Sequence, residues 1–206
     1  KKIRNDIKIP MVFMTYANVG IFLWAKKFIS TCKKIEIDGI IIPDLPFEEK
    51  EEFLSLCQEY DVALISLIAP TSKNRIAMIA KEAEGFLYIV SSLGVTGIRS
   101  EINTDLASII KIVRENTDIP CAIGFGISTP KQANEMAKIA DGVIVGSAII
   151  KLLEKYGKDA PRPGPAALPA GLPLSPLPKV AAAAGRLTMK GTQRPPSCFP
   201  CVAAGT

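Results

Sequence analysis

The sequence predicts an α/β fold built on a parallel sheet, and three observations carry that prediction. Short apolar runs alternate with amphipathic stretches six times between residues 11 and 156. Successive runs begin about 25 residues apart, the rhythm of right-handed βαβ crossovers. Residues 38–43 (DGIIIP) are apolar without alternation, as expected of a strand buried on both faces. Two architectures fit: a doubly wound open sheet and a (β/α)8 barrel. A full barrel takes eight units and roughly 250 residues. Six units in the first 160 residues would make an incomplete one.

The first strand is residues 11–16 (MVFMTY), bounded by Pro10, and a helix over 21–35 follows, with Ile21, Trp24, Phe28, Cys32 and Ile35 at helical spacing. After the strand at 38–43, residues 48–60 form a helix with Phe53, Leu56 and Cys57 on one side. Residues 62–69 (VALISLIA) are the third strand, and Thr71-Ser72 caps a helix over 73–83. The strand at 86–91 (FLYIVS) leads to a helix at 105–115 with Leu106, Ile109, Ile110 and Val113 inward. Residues 120–124 (PCAIG) are a strand. Thr129-Pro130-x-Gln132 then opens a helix with a capping box and proline at its first position. The last unit is a strand at 142–145 (GVIV) and a helix at 147–156.

Composition divides the chain into a domain at 1–160 and a Pro/Ala/Gly-rich tail at 161–206. The domain holds 20 basic and 20 acidic residues, whereas the tail holds five basic residues and no acid, so the net charge of +5 belongs to the tail. That distribution argues against a nucleic-acid-binding domain. Ten of the 16 prolines lie in the tail, and none of the 27 isoleucines does. Such a segment lacks the residues for a core and is expected to be disordered. Its GC-rich codon preference against the AT-rich preference of the domain points to a fused or frame-shifted extension.

No stretch reaches the roughly 18 apolar residues of a membrane span. The basic start followed by an apolar run lacks a small-residue cleavage site, so the expected location is cytoplasmic. Cys32, Cys57 and Cys121 fall within apolar patterns and are expected to be buried thiols. Cys198 and Cys201 form one CxxC in a chain without histidine, too little for a zinc site, and no metal is expected.

Glycines stand at the carboxyl ends of three successive strands: Gly94-Val95-Thr96-Gly97, Gly124-Phe125-Gly126, and Gly146-Ser147 opening a helix. A phosphate dianion needs converging backbone N–H donors, which glycine lets approach and a helix N-terminus reinforces. In barrels that role falls to the loops after the last two strands. The three corners are therefore expected to bind a phosphate ester.

MTYANVGIF, IPDLP followed by Glu48-Glu49, YIVSSLGVTG, IGFGIS and VGSAII, in that order and spacing, resemble the tryptophan synthase alpha subunit over about residues 9–159. The resemblance implies the barrel rather than the open sheet. It also implies a carbon–carbon lyase of tryptophan biosynthesis, cleaving indole-3-glycerol phosphate to indole and glyceraldehyde 3-phosphate. Indole would pass to a beta subunit that alone carries pyridoxal phosphate; the chain itself would need no cofactor. The resemblance gives Gly97, Gly124, Gly126, Gly146 and Ser147 to the phosphate and Tyr88 to the catalytic neighbourhood. Phe125 would pack on the indole, Thr96 would lie in a closing loop, and Asn18 would meet the beta partner.

Cleavage of that bond needs an acid at the indole ring and a base at a hydroxyl. In the family these are a glutamate on the second strand and an aspartate on the following loop, both upstream of the matched region. Asp44, Glu48 and Glu49 follow a later strand and do not match them, and Asp44 is expected to orient loops. The sequence thus predicts a fragment without lyase activity of its own, whose strands at 11–16 and 142–145 are open edges. Two other readings fit the residues: another phosphate-binding barrel enzyme, such as a phosphosugar isomerase or epimerase, and a non-enzymatic truncated remnant.

Overall fold

The structure, a computed structural model, describes Arg4 and residues 9–17, 19–91 and 105–157. In chain order the described elements are β1 (Val12–Met14), α1 (Val19–Lys34), β2 (Gly39–Ile41), α2 (Glu51–Glu59), β3 (Ala63–Ile65), β4 (Leu67–Ile68) and α3 (Lys73–Lys81). They continue with β5 (Leu87–Val90), α4 (Leu106–Asn116), β6 (Cys121–Gly124), α5 (Pro130–Ala137), β7 (Gly142–Val143) and α6 (Ser147–Tyr156). The tail at 161–206 lies outside the described residues.

Every strand pair is parallel, and the order is sequential: β1-β2-β3, then β4-β5-β6-β7. A doubly wound sheet reverses its strand order at a switch point. Among the described strands there is no reversal, so they form an arc of barrel wall. β1 and β7 each pair on one side among the described residues.

Side-chain alternation separates the two faces of the wall. Ile41, Ala63, Ile65, Tyr88 and Val90 form an inner cluster with Val12, Met14, Leu67, Ala122 and Phe125, and among the described residues no helical side chain joins it. Their neighbours Ile40, Ile42, Val62 and Leu64 pack outward on α1 and α2. Ile68, Leu87, Ile89, Cys121 and Ile123 pack outward on α3 and α4. Burial on both faces is why these strands read as unbroken apolar runs.

Two elements differ from expectation. The run at 62–69 divides at Ser66: β3 pairs with β2, and β4 pairs with β5. The Ser66 carbonyl accepts the Tyr88 N–H at 3.0 Å at that handover. Strand stagger in a barrel lets one strand serve its two neighbours with successive segments. In α1 the buried stripe is Ala25, Ile29 and Cys32, while Trp24 is 60% exposed with Lys27 Nζ 5.0 Å above its ring. Trp24 precedes Ala25 by one position and so sits about 100° around the helix from that stripe.

The caps follow the sequence. Ser72 accepts from Arg75 N–H, Asp105 accepts from Ser108 N–H, and Thr129 with Gln132 forms the capping box, with Pro130 at the first helical position. At the amino ends of the strands two Asp-Gly pairs act as floor clamps. Asp38 accepts the Met11 N–H at 2.8 Å and lies 3.4 Å from Arg4. Asp141 accepts the Cys121 N–H at 3.0 Å and the Arg114 guanidinium at 2.5 Å. Each carboxylate ties the start of its own strand to the start of the adjacent one.

Candidate functional site

A cavity of about 460 Å³ opens at the carboxyl ends of β2, β4 and β5, and its lining reaches past the β3–β4 junction to Leu64 and Ile79 of the outer layer. Ile65, Leu67, Val90 and Phe125 give it an apolar wall from the inner face, and Pro43, Leu45, Pro46 and Phe47 close it from the segment after β2. Among the described residues the cavity lining holds no Asp or Glu, and its two cations are neutralised. Arg75 on α3 grips Glu48 through contacts of 2.5 and 3.1 Å, and this hydrogen-bonded guanidinium holds the Glu48 carboxyl below its ordinary value. Lys50 is buried, with Nζ 2.9 Å from Glu82 and 3.9 Å above the Phe47 ring.

Beside this cavity, β6 ends in the corner at 124–126, and the neighbouring β7 is followed by Gly146 and the first turn of α6. Two of the three predicted glycine corners therefore stand side by side at the carboxyl rim. The third lies outside the described residues together with Thr96 and Gly97, as does Asn18. Of the predicted site residues, Phe125 lines the cavity and Tyr88 packs behind it, with ring centroids 6.0 Å apart in an edge-to-face arrangement. Tyr88 is 4% exposed. Gly146 faces open space where a side chain would project, and Ser147 is exposed at the helix start. A ten-residue helix beginning there directs its free N–H groups and positive dipole end toward the rim.

Gly124 has a reason for lacking a side chain that the sequence does not disclose. A Cβ built on it would lie 2.2 Å from the Tyr88 hydroxyl oxygen and 2.5 Å from Cζ. Only glycine lets the tyrosine ring lie across β6. The next residue, Phe125, adopts φ +73°, and Gly126 follows at +71°. For phenylalanine the left-handed region costs about 1–3 kcal/mol and persists only where neighbours hold it. Ser91 supplies such a hold: its Oγ donates to the Phe125 carbonyl, and its N–H donates to the Gly124 carbonyl at 3.0 Å. Ser91 is 1% exposed and was not among the residues that sequence reasoning selected. The available signal was a hydroxyl residue ending the otherwise apolar run FLYIVS.

Asp44 does orient a loop, since its carboxylate accepts the Ala17 N–H at 2.7 Å and so joins the segments after β1 and β2. Cys32, Cys57 and Cys121 are buried free thiols, as expected. Burial pushes them up to about 11, 12 and 11, respectively. Among the described residues no three His, Cys, Asp or Glu side chains gather as a metal site, and no helix is long and apolar enough to cross a membrane.

Comparison with known proteins gives a consistent result. The family model for the tryptophan synthase alpha chain matches residues 1–163. A curated relative of that name from Lactiplantibacillus plantarum is 51% identical over 155 residues, covering 75% of this chain and 59% of its own. One from Lacticaseibacillus casei is 44% identical over 158 residues, covering 77% and 59%. The solved alpha subunit of Campylobacter jejuni superposes with a TM-score of 0.65 at 37% identity, covering 74% of this chain and 63% of that one. A Pyrococcus furiosus structure, described as the basis of mutual activation of the tryptophan synthase a2b2 complex, gives 0.67 at 31%, covering 77% and 65%. The chain thus spans about three-fifths of the length of the curated relatives it matches.

Proposed function

The chain belongs to the tryptophan synthase alpha chain family, and from that premise we propose that it forms the ligand-binding wall of an indole-3-glycerol phosphate lyase. The observation that carries this reading is the adjacency of an apolar cavity ending at Phe125 to two glycine corners on neighbouring strands. An indole ring fits the apolar side. A phosphate fits the N–H groups of Gly126, Gly146 and Ser147, where the α6 dipole favours a dianion. Gly97 and Thr96 would complete that end from the loop after β5, and Asn18 would contact a beta subunit. Pyridoxal phosphate belongs to that partner in this reading, and the cytoplasm is where the two would meet.

The reaction is a retro-aldol cleavage. A proton is delivered to the indole carbon that carries the glycerol chain, and another leaves the adjacent hydroxyl as the carbon–carbon bond opens to an aldehyde. Tyr88, edge-on to Phe125, would fix the ring face on which this occurs. Both proton transfers require acid–base groups, and among the described residues the lining of the cavity has no carboxylate. The 206 residues are therefore expected to hold the substrate without turning it over.

Titrating the full chain with indole-3-glycerol phosphate, glycerol 3-phosphate and indole separately, by calorimetry, tests this. The reading requires saturable binding of the intact substrate that is tighter than either half. Indole release assayed with and without beta subunit should stay at background. Failure to bind any of the three ligands overturns the reading, and release of indole by the chain alone overturns the assignment of its chemistry to other groups.

A further inference from the structure

We propose that Ser91 is a positioning residue for the corner at 124–126, a role that rests on the phosphate-binding reading given above. Two successive peptide carbonyls of that corner point at one residue. Ser91 N–H takes the Gly124 carbonyl at 3.0 Å, and Ser91 Oγ takes the Phe125 carbonyl. The described peptides are all trans. In a planar trans peptide the N–H points opposite to the C=O. Holding the Phe125 carbonyl against β5 therefore fixes the Gly126 N–H in the reverse direction, away from β5.

The same bond stabilises Phe125 at φ +73°, a conformation its own side chain disfavours. That backbone setting determines where the Phe125 ring meets Tyr88, at 6.0 Å and 70° between planes. One buried hydroxyl thus sets two features at once, the ring that faces the apolar cavity and the direction of a phosphate-facing amide. The solvent cannot replace it, because Ser91 is 1% exposed.

The test uses the full chain with Ser91→Ala and Ser91→Thr, the second retaining the donor. Ring-to-ring NOEs between Tyr88 and Phe125 are read without ligand, and the Gly126 amide is followed during titration with glycerol 3-phosphate. Ser91→Ala should abolish the ring NOEs and raise Kd for glycerol 3-phosphate by about three- to tenfold, the range expected for one lost hydrogen bond. Ser91→Thr should restore both. If Ser91→Ala does not fold, Ser91→Cys, with a side chain of similar size and a weak donor, is measured in its place and should show the same losses. Unchanged NOEs and an unchanged Gly126 response overturn the proposal. If the parent chain binds no glycerol 3-phosphate but the NOEs still vanish in Ser91→Ala and return in Ser91→Thr, the positioning role stands and the phosphate reading falls.

Discussion

Replacing Gly124 by alanine puts a methyl group into space that the Tyr88 ring occupies. The added Cβ would sit 2.2 Å from the hydroxyl oxygen, 2.5 Å from Cζ and 2.8 Å from Cε1. Three atoms of a rigid ring are involved, so no torsion at the far end of a flexible chain relieves the contact. Tyr88 is buried on the inner face with its ring across β6, and must swing out or displace the neighbours it packs on. Overpacking of this kind costs about 1–3 kcal/mol. Alanine in place of glycine at an ordinary φ offsets about 0.4–1 kcal/mol of that through the unfolded chain. The net expectation for Gly124→Ala is a loss of roughly 0.5–2 kcal/mol, or a few degrees in Tm for a chain of this size. The decisive measurement is the sign in a second background. Tyr88→Leu removes all three clashing atoms, and there Gly124→Ala should become neutral or stabilising by urea denaturation. An equal cost in both backgrounds would refute the packing account and return Gly124 to a role in ligand contact alone.

Other expectations follow from the same geometry. Burial raises the Asp141 carboxyl, but the hydrogen bonds from Arg114 and the Cys121 N–H outweigh it and hold the group below its ordinary value of 3.8. A depressed folded value means stability present above the unfolded value and lost as pH falls through the folded one. Asp141→Asn should therefore flatten the stability profile in the region below about pH 4, measured by denaturation across that range. With their pKa values at about 11, 12 and 11, Cys32, Cys57 and Cys121 should resist iodoacetamide at pH 8 and react only in denaturant, as peptide mapping can record. Thr129→Ala removes one half of the α5 capping box and should cost about 1 kcal/mol in the same denaturation assay.

Element order was legible because each outward strand residue alternates with an inward one and both are apolar, giving short runs such as DGIIIP that fit a parallel, two-sided sheet. Periodicity alone did not choose between barrel and open sheet, since both share the βα rhythm, and the family resemblance supplied the barrel. The choice rests on strand order, which periodicity does not encode. The helix at 21–35 was read at the correct place with Trp24 on the wrong face, because an aromatic at helical spacing from Phe28 looks like core until a smaller stripe, Ala25-Ile29-Cys32, is weighed against it. At the site, glycine placement revealed the corners but not why each glycine is there. Gly124 answers to a tyrosine on the adjacent strand, a relation across 36 residues that no local motif records. Ser91 escaped notice for the same reason: its two acceptors belong to residues that follow it by more than 30 positions.

The Asp38 and Asp141 clamps bear on how such a chain can change over time. Both lock neighbouring strands at the end remote from the cavity, through bonds to backbone N–H groups that any residue but proline keeps. Alignment of the staves is thereby settled at the base of the cask, without help from the rim. Loops at the opposite end are then free to drift, lengthen or acquire new ligands while the staves stay in step.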